Sequence, residues 1–593
     1  MAEPTNPRLA AVFQQMADLT ELTGGNRFKV NAFAKVARVL DHMNKDVAEI
    51  DPALLPKVDG IGPGTADRIA EFLDTGRIAD HQRLLDEVPD GLLKVMDVPG
   101  LGPKTAALLW KEAGVESLDD LKAKLGSGEL ETLKGFGKKK VENIAKNLKF
   151  AESAGKRQRI GKAYALATFL VEDLQELPGV ERIEYAGSLR RGKESIGDID
   201  ILVACGDETL KDAIFTAFVE HPAVDEVIAH GSTKASVRTV KDAGGMQADL
   251  RVVPPASFGA ALMYFTGSKE HNVKMRERAL SQNKSLNEYG LWEGKDAAAD
   301  RDADATPLAG ATEQDVFREL GLAWVPPELR EDRGELKLAE DDELPSLITL
   351  GDIRAELHSH TTASDGRWSI EDNARAAADR GFHTVAITDH SKGQAQANGL
   401  SEERLVQHIE AVREVAKQLK DTITVLAGSE VDILADGSLD YPDELLAELD
   451  LVVASPHAAL SQDPAKATKR LLKAIENPHV HIVGHPTGRI INRRDGLSPD
   501  MEAIFRGAAE HDVALEINAS PYRLDLRDTH AAAFVHDHGG KLSINTDAHG
   551  PGDHDNLRFG VLTARRAGVT RDDVVNCWSK TALNQWRKSR RSG

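Results

Sequence analysis

Cysteine is nearly absent: Cys205 and Cys577 are the only 2 in 593 residues. That excludes a disulfide framework, and with Cys205 in a strand-like segment a reduced thiol in a cytoplasmic protein is expected. Long apolar runs are missing too, so no segment reaches the roughly 18 residues that a membrane span needs. The start MAEPTNPRLA lacks the charged and apolar stretches of a signal peptide. Positive charge is in deficit, with 74 Lys and Arg against 95 Asp and Glu, a net −21. A uniformly basic coat for phosphates is thereby excluded. What remains is an ordinary globular composition, 41% hydrophobic and 28% charged, in a chain too long for one core.

The charge is uneven. Lys134, Lys138, Lys139, Lys140, Lys146 and Lys149 lie close together with only Glu142 among them, whereas LKLAEDDELP (336–345) is acidic. A local basic face can grip DNA on a net-acidic protein; a solvated helix face is the plainer alternative. The same region carries one pattern three times: VDGIGPGTADRI (58–69), VPGLGPKTAALL (98–109) and LKGFGKKKVENI (133–144). Each is Gly-apolar-Gly followed by a helix. The glycines Gly60, Gly62, Gly64, Gly100, Gly102, Gly135 and Gly137 permit a tight turn. The N–H groups after them form an anion site at a helix N-terminus, with Lys138 and Lys139 beside it. Helix-hairpin-helix motifs look like this and hold DNA backbone without reading sequence.

From about residue 160 a helix (GKAYALATFLVEDLQEL) leads to strand-like RIEYAG, DIDILVA, EVIAHG, SVRTV and MQADLRVV, which fit a mixed sheet with flanking helices. Residues 256–330 return to helices and turns, and 331–350 read as an acidic linker. From 351, short apolar strands (IRAEL, TVAIT, TVLAG, LVVAS, HIVGH, VALEIN, KLSIN) alternate with helices, which indicates a parallel, distorted TIM-like (β/α)7 barrel.

Chemistry concentrates in GSLRRGKESIGDIDILV (187–203). Asp198 and Asp200 alternate on a strand and share a face, and Asp249 in QADLRVV can join them from a neighbouring strand. Carboxylates that close repel unless cations lie between them, so a two-metal phosphoryl-transfer site is expected. Ser188 after Gly187, with Arg191 nearby, suits triphosphate oxygens.

The strand ends of the second half carry metal-type ligands: His358 and His360, Asp365, His390, Glu430, His457, His485, Asp547 and His549. All follow apolar strands, at the end where such barrels place their chemistry, and they exceed what one ion needs. Two or three Zn²⁺, Mn²⁺ or Fe ions are expected, bridged by Glu430 or Asp547.

The stretch 187–203 resembles the nucleotidyltransferase signature of family X DNA polymerases such as polymerase beta. The nine strand-end ligands match those of the PHP (polymerase and histidinol phosphatase) family without a gap. The resemblance implies a bacterial- or archaeal-type family X polymerase, a multidomain α and α/β chain. Its parts would be a helical DNA-binding domain (1–90), helix-hairpin-helix fingers (91–155), palm (156–255), thumb-like nucleotide selection (256–330), linker (331–350) and PHP domain (351–593). It implies Asp198, Asp200 and Asp249 as catalytic residues with two Mg²⁺ or Mn²⁺, and Gly187, Ser188, Arg191 and Gly197 at the nucleotide. In ALMYFTGSKEHNVKMRERA (261–279), the resemblance places Tyr264, Phe265 and Gly267 beside the sugar, Asn272 at the base edge and Arg276 on the template. Three positions depart from polymerase beta: Lys269 replaces an acidic residue, Gln247 replaces an arginine, and Arg68 stands at the aligned position of the Schiff-base lysine.

The expected function is DNA repair: a monomer filling short gaps with dNTPs on gapped or primer-template DNA. The PHP domain would act as a 3′–5′ exonuclease or abasic-site endonuclease. A phosphatase acting on a small phosphomonoester and a non-catalytic gap-binding scaffold are the alternatives.

Overall fold

The computed structural model describes residues 5–42, 47–57, 61–96, 98, 101–133, 135–138, 140–142, 144–145, 148, 157–294 and 307–590. The chain forms two compact units. One comprises Met1–Gly155 with Asp365–Arg367 and Asn492–Arg494; the other holds Lys156–Ser364, Trp368–Ile491 and Asp495–Gly593.

The first unit is helical. Its core is aliphatic with few aromatics, built on Leu9, Phe13, Met16 and Leu19 of the helix Thr5–Leu22 together with Ile69, Leu109 and Phe136. The helices Pro63–Thr75 and Pro103–Ala113 each begin with Pro at the first turn after an extended Gly, Gly62 or Gly102, that offers no side-chain cap. Both end on a left-handed Gly, Gly76 and Gly114, the signature of a helix stop.

The second unit begins with a five-stranded mixed sheet: β1 (Arg182–Tyr185), β2 (Asp198–Ala204), β3 (Val224–His230), β4 (Lys234–Thr239) and β5 (Gln247–Val253), in the spatial order β1-β2-β5-β4-β3. All five segments expected from alternation are strands. Only β2–β5 is parallel, so the sheet is mixed as expected. In β2 the period of 2 divides the work. Ile199, Ile201 and Val203 enter a core with the helix Ile160–Gln175, while Leu202 and Ala204 enter a second core with Phe258 and Leu262. Asp198 and Asp200 share the second face but sit at the strand's N-terminal end, beyond that packing.

The second half of this unit is a parallel seven-stranded sheet: β6 (Ala355–Glu356), β7 (Thr384–Ile387), β8 (Thr424–Asp432), β9 (Leu451–Ser455), β10 (Ile482–Val483), β11 (Ala514–Asn518) and β12 (Leu542–Asn545), paired in chain order. Beyond the ends of β6 and β12, Ser359 and Ala548 form a parallel bridge, and the His360 N–H donates to the Ala548 carbonyl at 2.8 Å. The sheet therefore all but closes into the expected barrel. Ala355, Leu357, Leu426, Leu451 and Ala514 fill its interior near the strand starts, where Leu583 and Trp586 stop the opening. The polar ligands are left to the other end.

The 331–350 stretch, expected as an acidic linker, is ordered. It holds the helix Glu335–Asp341 with Glu335 and Ala339 buried, and Ile348 belongs to the barrel core. Its acidity serves ion pairs: buried Glu335 accepts from His271 Nδ1 at 2.7 Å. The palm-like core also takes in Ile491, Leu524 and Phe559 from beyond residue 351. No described helix is long and apolar enough to cross a membrane.

Candidate active sites

The register of β2 and β5 sets Asp198 opposite Gln247 and Asp200 opposite Asp249. Neighbouring strands lie about 4.8 Å apart, so the three carboxylates share one face, as the alternation requires. Asp200 is the crowded member. Burial, then the charges of Asp198 and Asp249, push its carboxyl up to about 7. Gly187, at φ +62°, passes so close that a Cβ there would stand 2.5 Å from Asp200 Oδ2. A glycine is thus required where the turn abuts the carboxylate. Burial would raise Asp249 as well, but hydrogen bonds from Lys234, Gln247 and Ser236 outweigh it and hold the carboxyl below its ordinary range. Lys234 Nζ lies 2.5 Å from Asp249 Oδ2, and Gln247 Nε2 donates to Oδ1 at 3.0 Å. The basic partner that Gln247 seemed to remove is therefore supplied by Lys234 of β4. Repelling carboxylates with a raised pKa are the donor set that divalent cations satisfy.

Gly187, Asp198 and Asp200 open into a cleft of about 890 Å³ also lined by Ser188, Arg191, Tyr264, Phe265, Gly267 and Arg276. Tyr264 and Phe265 meet edge to face at 5.2 Å, with the Arg251 guanidinium 4.2 Å from the Phe265 ring centre. Asn272, another lining residue, donates to the Tyr264 carbonyl at 2.7 Å and so pins the end of the helix Phe258–Thr266. Arg191 is engaged: its Nε donates to Glu331 Oε1 at 3.0 Å and its Nη1 to the Thr266 carbonyl. Gly197 lies under Arg157, whose Nη1 would be 3.1 Å from an added Cβ.

The barrel ligands converge at the strand ends. Three groups place ligand atoms within 4.8 Å of one another: His360, Asp365, His390 and His549; His358, His360, Glu430 and Asp547; His390, Glu430 and His457. Glu430, His360 and His390 each belong to two groups, so the three groups form one continuous cluster in which the Glu430 carboxylate would be the shared ligand. His485 joins through Glu430, its Nε2 being 2.9 Å from Oε1. His358 Nε2, Glu430 Oε2 and Asp547 Oδ1 are buried there without a hydrogen bond of good geometry. Such atoms are costly unless a cation takes them up, so the residues fit a multi-metal centre. His485 (φ +27°) and Asp547 (φ +54°) are held in left-handed backbone, a conformation costing roughly 1–3 kcal/mol that packing must impose.

Comparisons with known proteins follow these features along the chain. The DNA polymerase beta palm family matches residues 161–250 and the DNA polymerase beta thumb 261–331. A helix-hairpin-helix domain matches 4–78, a SAM-like helix-hairpin-helix tandem 92–149, and the PHP domain 356–520. A DNA polymerase/3′-5′ exonuclease PolX from Bacillus subtilis (strain 168) is 37% identical over 568 residues, 96% of each chain. The chain belongs to the PolX family. These are family X DNA polymerases that carry a PHP domain. Two partial relatives are also similar. DNA polymerase lambda from Rattus norvegicus is 26% identical over 52% of this chain and 53% of its own. A probable phosphatase from Thermoanaerobacter sp. (strain X514) is 30% identical over 37% of this chain and 89% of its own.

In the helix-hairpin-helix unit, a Cβ at Gly62, Gly102, Gly135 or Gly137 would meet nothing within 4 Å, so the backbone is open to a phosphate. Lys138 is exposed at the third turn, whereas Gly60, Gly100 and Lys139 lie outside the described residues. Arg68 is tied down: Nε donates to Asp80 Oδ2 at 3.0 Å and Nη1 to the Gly64 carbonyl at 2.5 Å.

Sequence reasoning missed the groups that orient the PolX ligands. Glu516 accepts from His358 Nδ1 at 2.7 Å, and Asp432 pairs with His457 Nδ1 at 2.6 Å. Asp389 orients no ligand ring: it receives Thr361 and Ser364 of the loop after His360 and pairs with His408 at 2.9 Å. Burial would raise Asp389, yet His408 and these donors bring it down to about 2. Glu516 and Asp432, each on the second nitrogen of a ligand imidazole, fix ring orientation and ligand basicity. A signal existed for Asp432, two residues after Glu430 on β8 and so on the same face.

Proposed function

We propose that this PolX-family chain fills short DNA gaps by two-metal nucleotidyl transfer and processes 3′ ends with its PHP barrel. The observation that carries the first activity is Asp198, Asp200 and Asp249 sharing one sheet face, with Asp198 and Asp200 lining a cleft that also holds Ser188, Arg191, Tyr264 and Asn272. Divalent cations held by these carboxylates, Mg²⁺ or Mn²⁺, supply charge neutralisation and Lewis acidity for phosphoryl transfer. The three aspartates would hold that charge on their shared sheet face. Ser188 and Arg191 receive the triphosphate through charge-assisted hydrogen bonds. Gly187 and Gly197 let the backbone approach it. Tyr264, Phe265 and Gly267 wall the sugar, Asn272 reads the base edge and Arg276 steadies the template. The open glycine turns of the N-terminal unit, with Lys138 and Lys139, grip the DNA backbone.

In the barrel, the nine ligands from His358 to His549 hold two to three ions, Zn²⁺, Mn²⁺ or Fe, which provide Lewis-acid chemistry for phosphodiester hydrolysis. Glu516 and Asp432 keep the imidazoles of His358 and His457 in their productive orientation. The domain assignments 1–90, 91–155, 156–255, 256–330 and 351–593 go with this reading. Since a probable phosphatase is 30% identical over 37% of this chain, the deciding assay compares a 3′-labelled oligonucleotide with a small phosphomonoester, alongside extension on a one-nucleotide gap in Mg²⁺ and Mn²⁺. Hydrolysis of the monoester alone would overturn the nuclease reading, and gap binding without extension would leave a scaffold.

Two further outcomes are expected. A carboxyl at about 7 is mostly protonated at pH 6 and ionised at pH 8, and protons compete with cations for it. The Mg²⁺ concentration giving half-maximal extension should therefore fall about tenfold from pH 6 to pH 8; equal values would show that Asp200 does not hold the ion. Borohydride trapping on a 5′-deoxyribose-phosphate flap should give little covalent adduct, because Arg68 stays protonated and cannot form the imine. A strong adduct would show that another amine serves.

A further inference from the structure

Glu331 joins the polymerase cleft to the barrel through charge. Its Oε1 accepts from Arg191 Nε at 3.0 Å and from Arg566 Nη1 at 2.9 Å, and its Oε2 from Lys193 Nζ at 3.3 Å. Arg566 ends the helix Leu557–Arg566 on the barrel and is buried. Its Nη1 also donates to the Arg191 carbonyl at 2.7 Å, and its Nη2 to Asp528 Oδ2 at 2.8 Å. Asp528 in turn pairs with Arg333 at 3.2 Å. Arg191, Lys193, Arg333, Arg527, Asp528 and Arg566 line the same cleft as Asp198 and Asp200, so one wall of the polymerase site is made by the barrel.

We propose that Glu331 is a carboxylate gate on the nucleotide site, occupying the Arg191 guanidinium that a triphosphate must take, and that Arg566 of the barrel sets the strength of that gate. The proposal rests on the reading of Arg191 as a triphosphate ligand. A carboxylate and a phosphate compete for the same guanidinium edge. When Arg191 turns to the phosphate, Glu331 would without other cations be a poorly solvated, uncompensated anion, an expensive state. Arg566 and Lys193 stay on it and make the exchange affordable. Burial pushes the Glu331 carboxyl up, but Arg566 and then Arg191 outweigh it and hold it at about 2, so the gate keeps its charge at neutral pH. Arg566 touches neither nucleotide nor reacting atoms; it is a positioning residue.

The test measures KM and kcat for dNTP on a one-nucleotide gap with the full-length protein, and follows each variant's melting temperature. Glu331→Gln should lower KM by about threefold or more with kcat nearly unchanged, since a neutral amide frees Arg191. Arg566→Met should raise KM by about fivefold, because Glu331 is then left with Arg191 and Lys193 and holds Arg191 more tightly. In the double variant that rise should vanish, as it depends on the Glu331 charge. A merely structural brace predicts the opposite: both single variants raise KM or melt early, and the double variant is worst. That pattern overturns the gate, as does an unchanged KM in Glu331→Gln. Arg191→Ala separates the two layers. If it leaves KM unchanged, the triphosphate reading fails; if it raises KM while Glu331→Gln does not lower it, the gate alone fails.

Discussion

Replacing Asp198 and Asp200 together with Ala is expected to remove dNTP incorporation, by roughly three orders of magnitude or more, the upper scale for losing a preorganised electrostatic stabiliser. Both residues leave one strand face, and Asp249, already paired with Lys234 at 2.5 Å, cannot hold two ions alone. DNA binding should persist, because the open glycine turns belong to the other compact unit. Stability should move the other way. Burial and its acidic neighbours push the Asp200 carboxyl up to about 7 from an ordinary 3.8, so the folded state binds its proton more tightly than the unfolded chain does. That is a penalty absent below about pH 4, growing up to about 7 and full above it. The Ala variant should therefore melt higher than the parent at pH 8 in chelator, with no such gain near pH 4. Near-parental primer extension would refute the site, and a lower melting temperature at pH 8 would refute its electrostatics.

His360→Ala is expected to remove nuclease activity by at least about a hundredfold, the upper effect of disturbing even an outer metal shell, while extension on a gap is retained. His360 contributes to two of the three ligand groups, with His549 stacked on its ring at 4.3 Å. One substitution therefore empties or displaces ions at two positions, which elemental analysis of the purified protein would report as lost metal. The separation of activities follows from separate ligand sets, since no barrel ligand lines the polymerase cleft. It does not follow from a loose linker. Ile491, Leu524 and Phe559 pack into the palm core, and Arg489 bridges to Glu194 at 2.6 Å. Unchanged exonuclease in His360→Ala would take the nuclease out of the barrel. Loss of extension as severe as in the aspartate variant would make the two sites one cooperative machine.

The contrast between Asp200 and Glu331 marks the limit of reading this protein from its sequence. By itself the sequence determined every feature with a local period or a local turn. Alternation put Asp198 and Asp200 on one face and placed the five palm strands. Apolar strands each ending in His, Asp or Glu announced a seven-stranded metal barrel, and three Gly-apolar-Gly turns announced the hairpins. Only the tertiary structure decided which distant side chain stands opposite each of these. Lys234 reaches Asp249 through the β4–β5 register, and Glu516 reaches His358 across 158 positions of sequence. The acidic 331–350 stretch read as a solvated linker because composition reports average polarity. In the fold, Glu331 and Glu335 spend their charge on Arg191, Arg566 and His271. Periodicity fixes the face a residue occupies, because backbone geometry repeats every two or 3.6 residues. The partner on that face is fixed by packing between elements far apart in the chain, and no local pattern encodes it.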